Sequence, residues 1–260
     1  MKLPNILRVA AKVRMQTIEA MTISSVNQAV LALTFTFMAC ATVSILLMGC
    51  ARRDATATFN RIAALVTTCA SIAYLLMGLG VGISEEEDGV HVYWLRYVDW
   101  CFTTPLMLVE LGVLAGADRW ETALLIVFDE LMLLFGMLSA TSASGKFPFF
   151  MLALLAFSGV VIKLFYGLTQ RAEKLGGEAE ILFKLVANRT AEIWCLYPVL
   201  FALCECTKSL PEECEVAGYA IADVMAKCGI PMMVWVSAVT NSRKLGLTDL
   251  EAEPVDVLES

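Results

Sequence analysis

A lysine and an aspartate lie four residues apart in an apolar stretch near the C-terminus. The segment DVMAK places Asp223 and Lys227 at positions i and i+4, so a helix carries both side chains on one face. A lysine buried in this way has two common explanations. It is a structural ion paired with a carboxylate, or its amine forms a Schiff base with a carbonyl compound. The residues alone leave both explanations open.

A second set of ionisable residues interrupts the apolar segment VYWLRYVDWCFTTPLMLVELG. Asp99 and Glu110 are separated by nearly three whole helical turns, so they share a face and lie roughly 16 Å apart along the axis. Thr103 follows Asp99 by one turn, and Arg96 precedes it by about one turn. Ionisable groups inside a bilayer are costly and usually functional, so this face is expected to point into the protein. Asp99 is therefore a second candidate carboxylate for Lys227.

The elements that must position these residues are membrane-spanning helices. Of the 260 residues, 58% are hydrophobic and 17% are charged, and the mean hydropathy is +0.71. Soluble proteins are typically about 45–50% apolar and about 25% charged. We predict an all-α membrane protein, a seven-transmembrane-helix bundle. Its spans, each of about 20 apolar residues, lie at about 26–50, 60–83, 91–115, 120–142, 147–169, 185–206 and 215–240.

Basic residues predict the orientation of this bundle, because cytoplasmic loops are enriched in lysine and arginine. The odd-numbered loops and the start of the tail carry Arg52, Arg53, Arg61, Arg119, Arg171, Lys174, Arg243 and Lys244. The even-numbered loops carry only Lys146 and Lys208. We therefore expect an extracellular N-terminus and a cytoplasmic C-terminus.

The two ends of the chain differ from the bundle in composition. Residues 1–25 contain four basic side chains, although the orientation places them outside. We expect them to form a surface helix, and a removed leader is the alternative. Residues 26–245 form the predicted seven-helix domain, and residues 246–260 form an acidic cytoplasmic tail that is expected to be disordered.

Composition also argues against several classes of protein. The chain has no basic stripe of the kind that nucleic acid requires. It has one histidine and no Cys-x-x-Cys pair, so we expect no metal site. Most of the nine cysteines lie in apolar runs, where they act as small hydrophobic residues. Cys204, Cys206 and Cys214 flank one loop, and a disulfide there is an open alternative.

Four segments together resemble the microbial (type 1) rhodopsins. YWLRYVDWCFTTP resembles the third helix of that family, and LFYGLTQRAEKL resembles the end of its fifth helix. WCLYP matches the Trp-x-x-Tyr-Pro signature of the sixth helix, and DVMAK resembles the retinal-attachment motif. The segments occur in the family's order and spacing, and the resemblance extends from the first span to the seventh.

The resemblance implies a cofactor and a set of proton carriers. Lys227 would bind all-trans retinal as a protonated Schiff base. Asp99 would be the primary counterion and proton acceptor, and Asp223 the second counterion. Glu110 would be the cytoplasmic proton donor that restores the proton of the Schiff base.

The same resemblance assigns supporting roles. Arg96 would steer the released proton outward, and Thr103 would hydrogen-bond Asp99. Glu215 resembles one member of a proton-release pair, for which Glu205 is a looser candidate. The cofactor-binding residues implied by the family are Tyr74, Trp100, Thr104, Met107, Met132, Gly136, Trp194, Tyr197 and Phe201.

The triplet of Asp99, Thr103 and Glu110 is similar to that of proteorhodopsin-type proton pumps. Those pumps pair the acceptor with a histidine in the second helix, whereas the single histidine here, His91, lies near the outer start of the third span. Our first hypothesis is an outward light-driven proton pump, an ion transporter rather than an enzyme. The alternatives are a light-gated cation channel of the bacteriorhodopsin-like type and a photosensory rhodopsin, against which Glu110 argues.

The expected partners follow from this hypothesis. They are protons and the lipid bilayer, with no nucleic acid. A homo-oligomer, trimeric or pentameric, is typical of such rhodopsins. The protein would be an integral, multi-pass protein of the plasma membrane or of an internal membrane.

Overall fold

The computed structural model describes residues 23–50, 56–85, 91–142 and 144–241, and these contain seven helical rods. The first four rods are regular α-helices: α1 (Ser25–Cys50), α2 (Thr56–Gly78), α3 (Leu95–Ala115) and α4 (Arg119–Thr141). The predicted tail 246–260 lies outside the described residues, as does all but the end of the predicted segment 1–25.

Each of the last three rods contains a π-helical stretch. The rod α5 comprises Lys146–Ile162, the π-helical Lys163–Leu168 and Thr169–Leu175. The rod α6 comprises Gly177–Trp194, Leu196–Phe201 and the π-helical Ala202–Cys206. The rod α7 comprises Glu212–Val224, the π-helical Met225–Gly229 and Ile230–Asn241. Such π-helical stretches are rare and often mark functional positions.

Consecutive rods pack side by side, and α7 closes the ring by packing against α1 and α2. α3 lies inside this ring and also contacts α6. The main buried core is formed by leucine, valine, alanine and aromatic side chains of α3, α5, α6 and α7. Many large apolar side chains point outward from the ring, as expected of a bundle that is solvated by lipid.

The prediction of seven spans is confirmed, with shifted boundaries. α2 ends at Gly78 rather than near residue 83, α3 begins at Leu95 rather than near residue 91, and α6 begins earlier than predicted, at Gly177. Within the described residues, six helices are long and apolar enough to cross a membrane by themselves. The rod α6 is the exception, because its first half carries charged side chains such as Lys184, Arg189 and Glu192.

Two prolines explain local breaks beside the site. Proline has no backbone N–H, and its ring clashes with the carbonyl group of residue i−4. Pro231 lies four residues after Lys227, and there the chain adopts a π-helical turn in which Ile230 N donates to the carbonyl oxygen of Met225. Pro198 lies four residues after Trp194, where the first segment of α6 ends.

A small β-hairpin covers one end of the bundle, and this end is called the hairpin side below. β1 (Ser84–Glu85) pairs antiparallel with β2 (His91–Val92) between α2 and α3. Gly82 precedes β1 with a φ of +79°, and a Cβ atom there would lie 2.3 Å from Cβ of Leu95. Only glycine fits this turn, which brings the chain back to the start of α3.

A polar cluster joins the hairpin to α1 and α7. The carboxylate of Glu212 accepts hydrogen bonds from Asn27 Nδ2 at 2.8 Å and from the Tyr93 hydroxyl at 2.6 Å. Its other oxygen lies 3.0 Å from Nδ1 of His91. Hydrogen bonds between side chains of α1, α7 and the segment that contains β2 therefore hold the hairpin against the bundle.

The cysteines that flank the α6–α7 loop do not form a disulfide in this structure. Cys204, Cys206 and Cys214 are all free thiols, and Cys214 is exposed. The possible disulfide of that loop is therefore not formed.

Candidate functional site

The centre of the bundle holds a buried lysine between two carboxylates. Lys227 is 1% exposed. Its Nζ atom contacts Oδ2 of Asp99 on α3 and lies 3.3 Å from Oδ2 of Asp223 on its own helix. A buried ammonium group requires such partners, since an unpaired ion would face a large desolvation penalty. The cluster thus places an amine and two proton-accepting groups within reach of one another.

The two carboxylates differ in their hydrogen bonds. Asp223 accepts from the Tyr74 hydroxyl at 2.9 Å, from the Tyr197 hydroxyl at 2.6 Å and from Trp100 Nε1 at 3.2 Å. Asp99 has no such neutral donors, and its Oδ1 atom has no hydrogen-bond partner among the described residues. Of the two carboxylates, Asp99 is therefore the one that keeps a free oxygen.

Thr103 was expected to hydrogen-bond Asp99. Its hydroxyl donates to the backbone carbonyl oxygen of Asp99, at 2.8 Å. A threonine hydroxyl in a helix readily bonds the carbonyl group one turn back. This contact leaves the Asp99 carboxylate with one unpaired oxygen.

An arginine and a glutamate continue the cluster towards the hairpin side. Arg96 is buried, and its Nη1 atom donates to Oε1 of Glu215 at 3.0 Å. The guanidinium group lies over the ring of Tyr219 at 4.1 Å and near that of Tyr93 at 5.3 Å. Cation–π contacts of this kind stabilise a buried cation without adding a negative charge.

Four residues of α7 form one stripe along this cluster. Glu215, Tyr219, Asp223 and Lys227 follow one another at intervals of four residues, so they share a helix face. All of them except Tyr219 were predicted from the sequence as site residues. The i+4 spacing from Asp223 and Lys227 was the signal that would have identified it.

Glu110 lies apart from this cluster, on the side of the bundle opposite the hairpin. It is 6% exposed, and its Oε1 atom has no hydrogen-bond partner among the described residues. It borders two cavities. One is a cavity of about 10 Å³ that is lined by Met107, Thr190 and Ile230, and the other is a much larger cavity towards α1 and α7.

An apolar cavity of about 90 Å³ lies beside Lys227. The predicted cofactor-binding residues that line it are Trp100, Thr104, Met107, Met132, Gly136, Trp194, Tyr197 and Phe201. Further lining residues, which the sequence analysis did not place in the pocket, include Tyr97, Leu133, Phe150, Ala153, Leu154, Phe157, Pro198 and Tyr219. Tyr74, which was also predicted to bind the cofactor, does not line this cavity, and its hydroxyl donates to Asp223.

The wall of this cavity away from α7 is built by α3, α4, α5 and α6. The Thr104 hydroxyl lies 2.5 Å from Oδ2 of Asp129, a fully buried carboxyl group. The rings of Phe150 and Phe201 stack at 5.0 Å with an interplanar angle of 15°. At Gly136 an added Cβ atom would lie 3.3 Å from the Tyr97 ring.

The arrangement can be compared with known proteins. The family model described as bacteriorhodopsin-like protein matches residues 25–241, which is most of the chain. The chain belongs to the bacteriorhodopsin-like family. It is therefore an integral, multi-pass membrane protein of the rhodopsin fold.

Individual relatives agree with this assignment. This rhodopsin is 32% identical over 211 residues to bacteriorhodopsin of Halobacterium salinarum, and the alignment covers 78% of the chain and 80% of the relative. The crystal structure of the light-driven proton pump Coccomyxa subellipsoidea rhodopsin is 28% identical, with a TM-score of 0.79, and the match covers 83% of this chain and 98% of that one. The crystal structure of the thermophilic rhodopsin from Rubrobacter xylanophilus is 29% identical, with a TM-score of 0.81. The match covers 87% of this chain and 100% of that one.

The structure brings most of the predicted site residues of this rhodopsin into one continuous region. Asp99, Asp223 and Lys227 form one buried ionic cluster beside the cavity, and Arg96 and Glu215 form a second buried ion pair towards the hairpin side. Glu110 is the exception, since no described side chain of this cluster contacts it.

Proposed function

We propose that this rhodopsin is an outward light-driven proton pump that carries all-trans retinal on Lys227. The observation that carries the proposal is the buried amine of Lys227, held between Asp99 and Asp223 at the edge of an apolar cavity. Membership of the bacteriorhodopsin-like family and similarity to a light-driven proton pump support it.

The residues around Lys227 fit a long apolar aldehyde. The cavity walls are aromatic and aliphatic, and Lys227 is the residue among them whose side chain ends in an amine. Bound retinal would supply the absorption of visible light and a change of shape that moves the lysine nitrogen and its proton. Trp100, Trp194 and Tyr197 would hold it by contact, because large aromatic rings bury the most apolar surface.

Asp99 is the proposed proton acceptor. It contacts Nζ of Lys227, and its free Oδ1 atom leaves room for a proton or for a bridging water molecule. Asp223 already accepts hydrogen bonds from Tyr74, Tyr197 and Trp100. The carboxylate with a free oxygen for the proton is therefore Asp99.

Arg96 and Glu215 form the proposed exit. They lie between the Lys227 cluster and the hairpin side, and both are buried. The proton taken up by Asp99 would leave on this side, guided outward by the ion pair of Arg96 and Glu215. The pump would face the hairpin outward, which agrees with the distribution of lysine and arginine among the loops.

Glu110 is the proposed proton donor. The cavity that separates it from Met107, at the wall of the Lys227 cavity, has about 10 Å³, which is near the minimum of about 10–15 Å³ for one water molecule. A continuous water path from Glu110 to Lys227 therefore requires the helices to move. Such a barrier keeps the donor from releasing its proton before the acceptor has been loaded.

Illumination of vesicles or cells with external pH recording tests the function. Light is expected to acidify the medium on the hairpin side, and a protonophore is expected to abolish the signal. A photocurrent that reverses sign with membrane voltage would instead identify a channel. Illumination that moves no ions, although retinal is bound, would identify a sensor.

We expect Glu110→Gln to slow the recovery of the dark state by about 100-fold or more, since an amide cannot donate the proton and general acid catalysis is worth about 10²–10⁴-fold. Flash photolysis measures this rate. Added azide, a small weak acid, should restore it. Glu130→Gln, which removes a carboxyl group from α4 away from this path, is the control, and an unchanged rate in Glu110→Gln would remove the donor assignment.

A further inference from the structure

The larger cavity beside Glu110 is a separate feature of the bundle. It has a volume of about 510 Å³ and lies between α1, α2 and α7. α1 lines it from Phe37 to Met48 and α7 from Val224 to Trp235, so at about 1.5 Å per residue it extends roughly 16 Å along both helices. It shares no lining residue with the cavity beside Lys227. We call it the inner vestibule.

Three buried polar atoms border the inner vestibule without a hydrogen-bond partner among the described residues. They are Nδ2 of Asn60, Nε1 of Trp235 and Oε1 of Glu110. Asn60 is 8% exposed and Glu110 is 6% exposed, so both are buried, although the lining residues Phe37, Met225 and Met232 are 53%, 43% and 48% exposed on the outer face of the bundle. Buried groups of this kind are nearly always hydrogen-bonded, and each unpaired one costs free energy.

The chemistry of these atoms selects the occupant. Asn60 and Trp235 each present an N–H donor, and the Glu110 carboxyl group accepts a hydrogen bond or, when protonated, donates one. Water satisfies all three groups because it both donates and accepts. A metal cation would be repelled by the two donors, and an acyl chain would leave every group unpaired. A site with three polar partners is wet, whereas cavities that stay empty are apolar.

The inner vestibule occupies only the half of the bundle that lies away from the hairpin side. Towards the hairpin side, the space between the same helices is filled by Leu31, Tyr74 and Met77, all at most 2% exposed. The first segment of α7 packs directly against α1 there. Glu110 therefore borders a large space on one side and the cavity of about 10 Å³ on the other.

We propose that the inner vestibule holds water in the dark state and is the path by which protons from the cytoplasmic side reach Glu110. Asn60 and Trp235 are positioning residues that hold this water against the carboxyl group. The proposal rests on the proposed function, since it assumes that Glu110 is the donor. It adds that the inlet already exists before light is absorbed and runs between α1, α2 and α7.

A native cysteine tests the presence of water. Cys228 lines the inner vestibule, with its sulfur 3.4 Å from Sδ of Met38. A charged, membrane-impermeant methanethiosulfonate reagent added in the dark to the cytoplasmic face is expected to modify Cys228, as measured by peptide mass spectrometry. Cys69, a partly buried cysteine of α2 that does not line the vestibule, is the internal control. Modification of Cys228 only by an apolar, membrane-permeant maleimide would show that lipid fills the space and would overturn the proposal.

Filling the vestibule tests its role in proton uptake. Ala41 lines it, and Ala41→Phe is expected to slow proton uptake on the order of tenfold, the loss expected when one or two bridging water molecules are removed. Ala32 lies on the same helix towards the hairpin side and is exposed, so Ala32→Phe is the matched control. Unchanged proton uptake in folded, pigmented Ala41→Phe would overturn the proposal.

The role of Asn60 has its own spectroscopic signature. Asn60→Leu is expected to shift the carbonyl stretching band of Glu110 in infrared difference spectra, since the water beside it is lost, while Asn60→Ser restores the band. A band that is unaffected by Asn60→Leu would remove the positioning role.

Failure of the pump and failure of the vestibule give different results. If Cys228 is labelled but the protein transports no protons, the water-filled vestibule is supported and the pump function is rejected. Normal transport and a slow Glu110→Gln variant, together with unlabelled Cys228 and normal uptake in Ala41→Phe, would reject the vestibule alone.

Discussion

Replacement of Lys227 with alanine is expected to abolish covalent binding of retinal and, with it, all visible absorption. The reason is chemical: the amine condenses with an aldehyde and releases water, and alanine has no amine. Lys227 also lies alone between Asp99 and Asp223, so its removal leaves two buried carboxylates without their cation. The measurement is mass spectrometry of the α7 peptide after borohydride reduction, which fixes any retinal adduct on its lysine.

A second variant separates loss of the chromophore from loss of the fold. Lys227→Arg keeps a cation between the carboxylates, but a guanidinium group does not condense with an aldehyde under these conditions. Both variants should lack the adduct, whereas Lys184→Ala, at an exposed pair with Glu173 and Glu180, should keep it. A retinal adduct on a residue other than Lys227 in the wild-type protein would contradict the assignment.

The shared helix faces of the charged residues could be predicted from the sequence, because the spacing of residues along a helix is regular. Asp223 and Lys227 share a face by their i+4 spacing, and Asp99 and Glu110 by their separation of nearly three turns. What spacing does not determine is the rotamer. Thr103 lies on the expected face, and its hydroxyl donates to the backbone carbonyl oxygen of Asp99. Helical spacing permits a bond to either the backbone or the carboxylate of Asp99, and only the packed side chains decide between them.

Features that depend on how several helices pack together could not be predicted from the sequence. The inner vestibule exists because α1 and α7 separate beyond Val224, and no residue pattern within either helix encodes that distance. The start of α6 was placed too late because its first two turns carry the charged side chains Glu178, Glu180 and Lys184, which a count of apolar residues does not include in a spanning helix. The hairpin was missed because each of its strands has only two residues.

Asp99→Asn is expected to abolish light-driven proton transport, with a loss of at least about 100-fold, since the amide cannot accept a proton and general acid–base catalysis is worth about 10²–10⁴-fold. The substitution changes the shape of the side chain little, so retinal should still bind to Lys227. Loss of the adjacent negative charge should move the absorption maximum to longer wavelength. Vesicle pH recordings measure the transport, and the absorption spectrum confirms that pigment is present.

The equivalent change at Asp223 distinguishes the acceptor from the fixed counterion. Asp223 accepts hydrogen bonds from Tyr74, Tyr197 and Trp100, and an asparagine there would point an N–H donor at one of these donors. Asp223→Asn should therefore lower the yield and thermal stability of the pigment more than Asp99→Asn does, while any intact fraction still passes its proton to Asp99. If Asp99→Asn pumped normally and folded Asp223→Asn did not, the two roles would be reversed, and the free Oδ1 atom of Asp99 would no longer be evidence for proton acceptance.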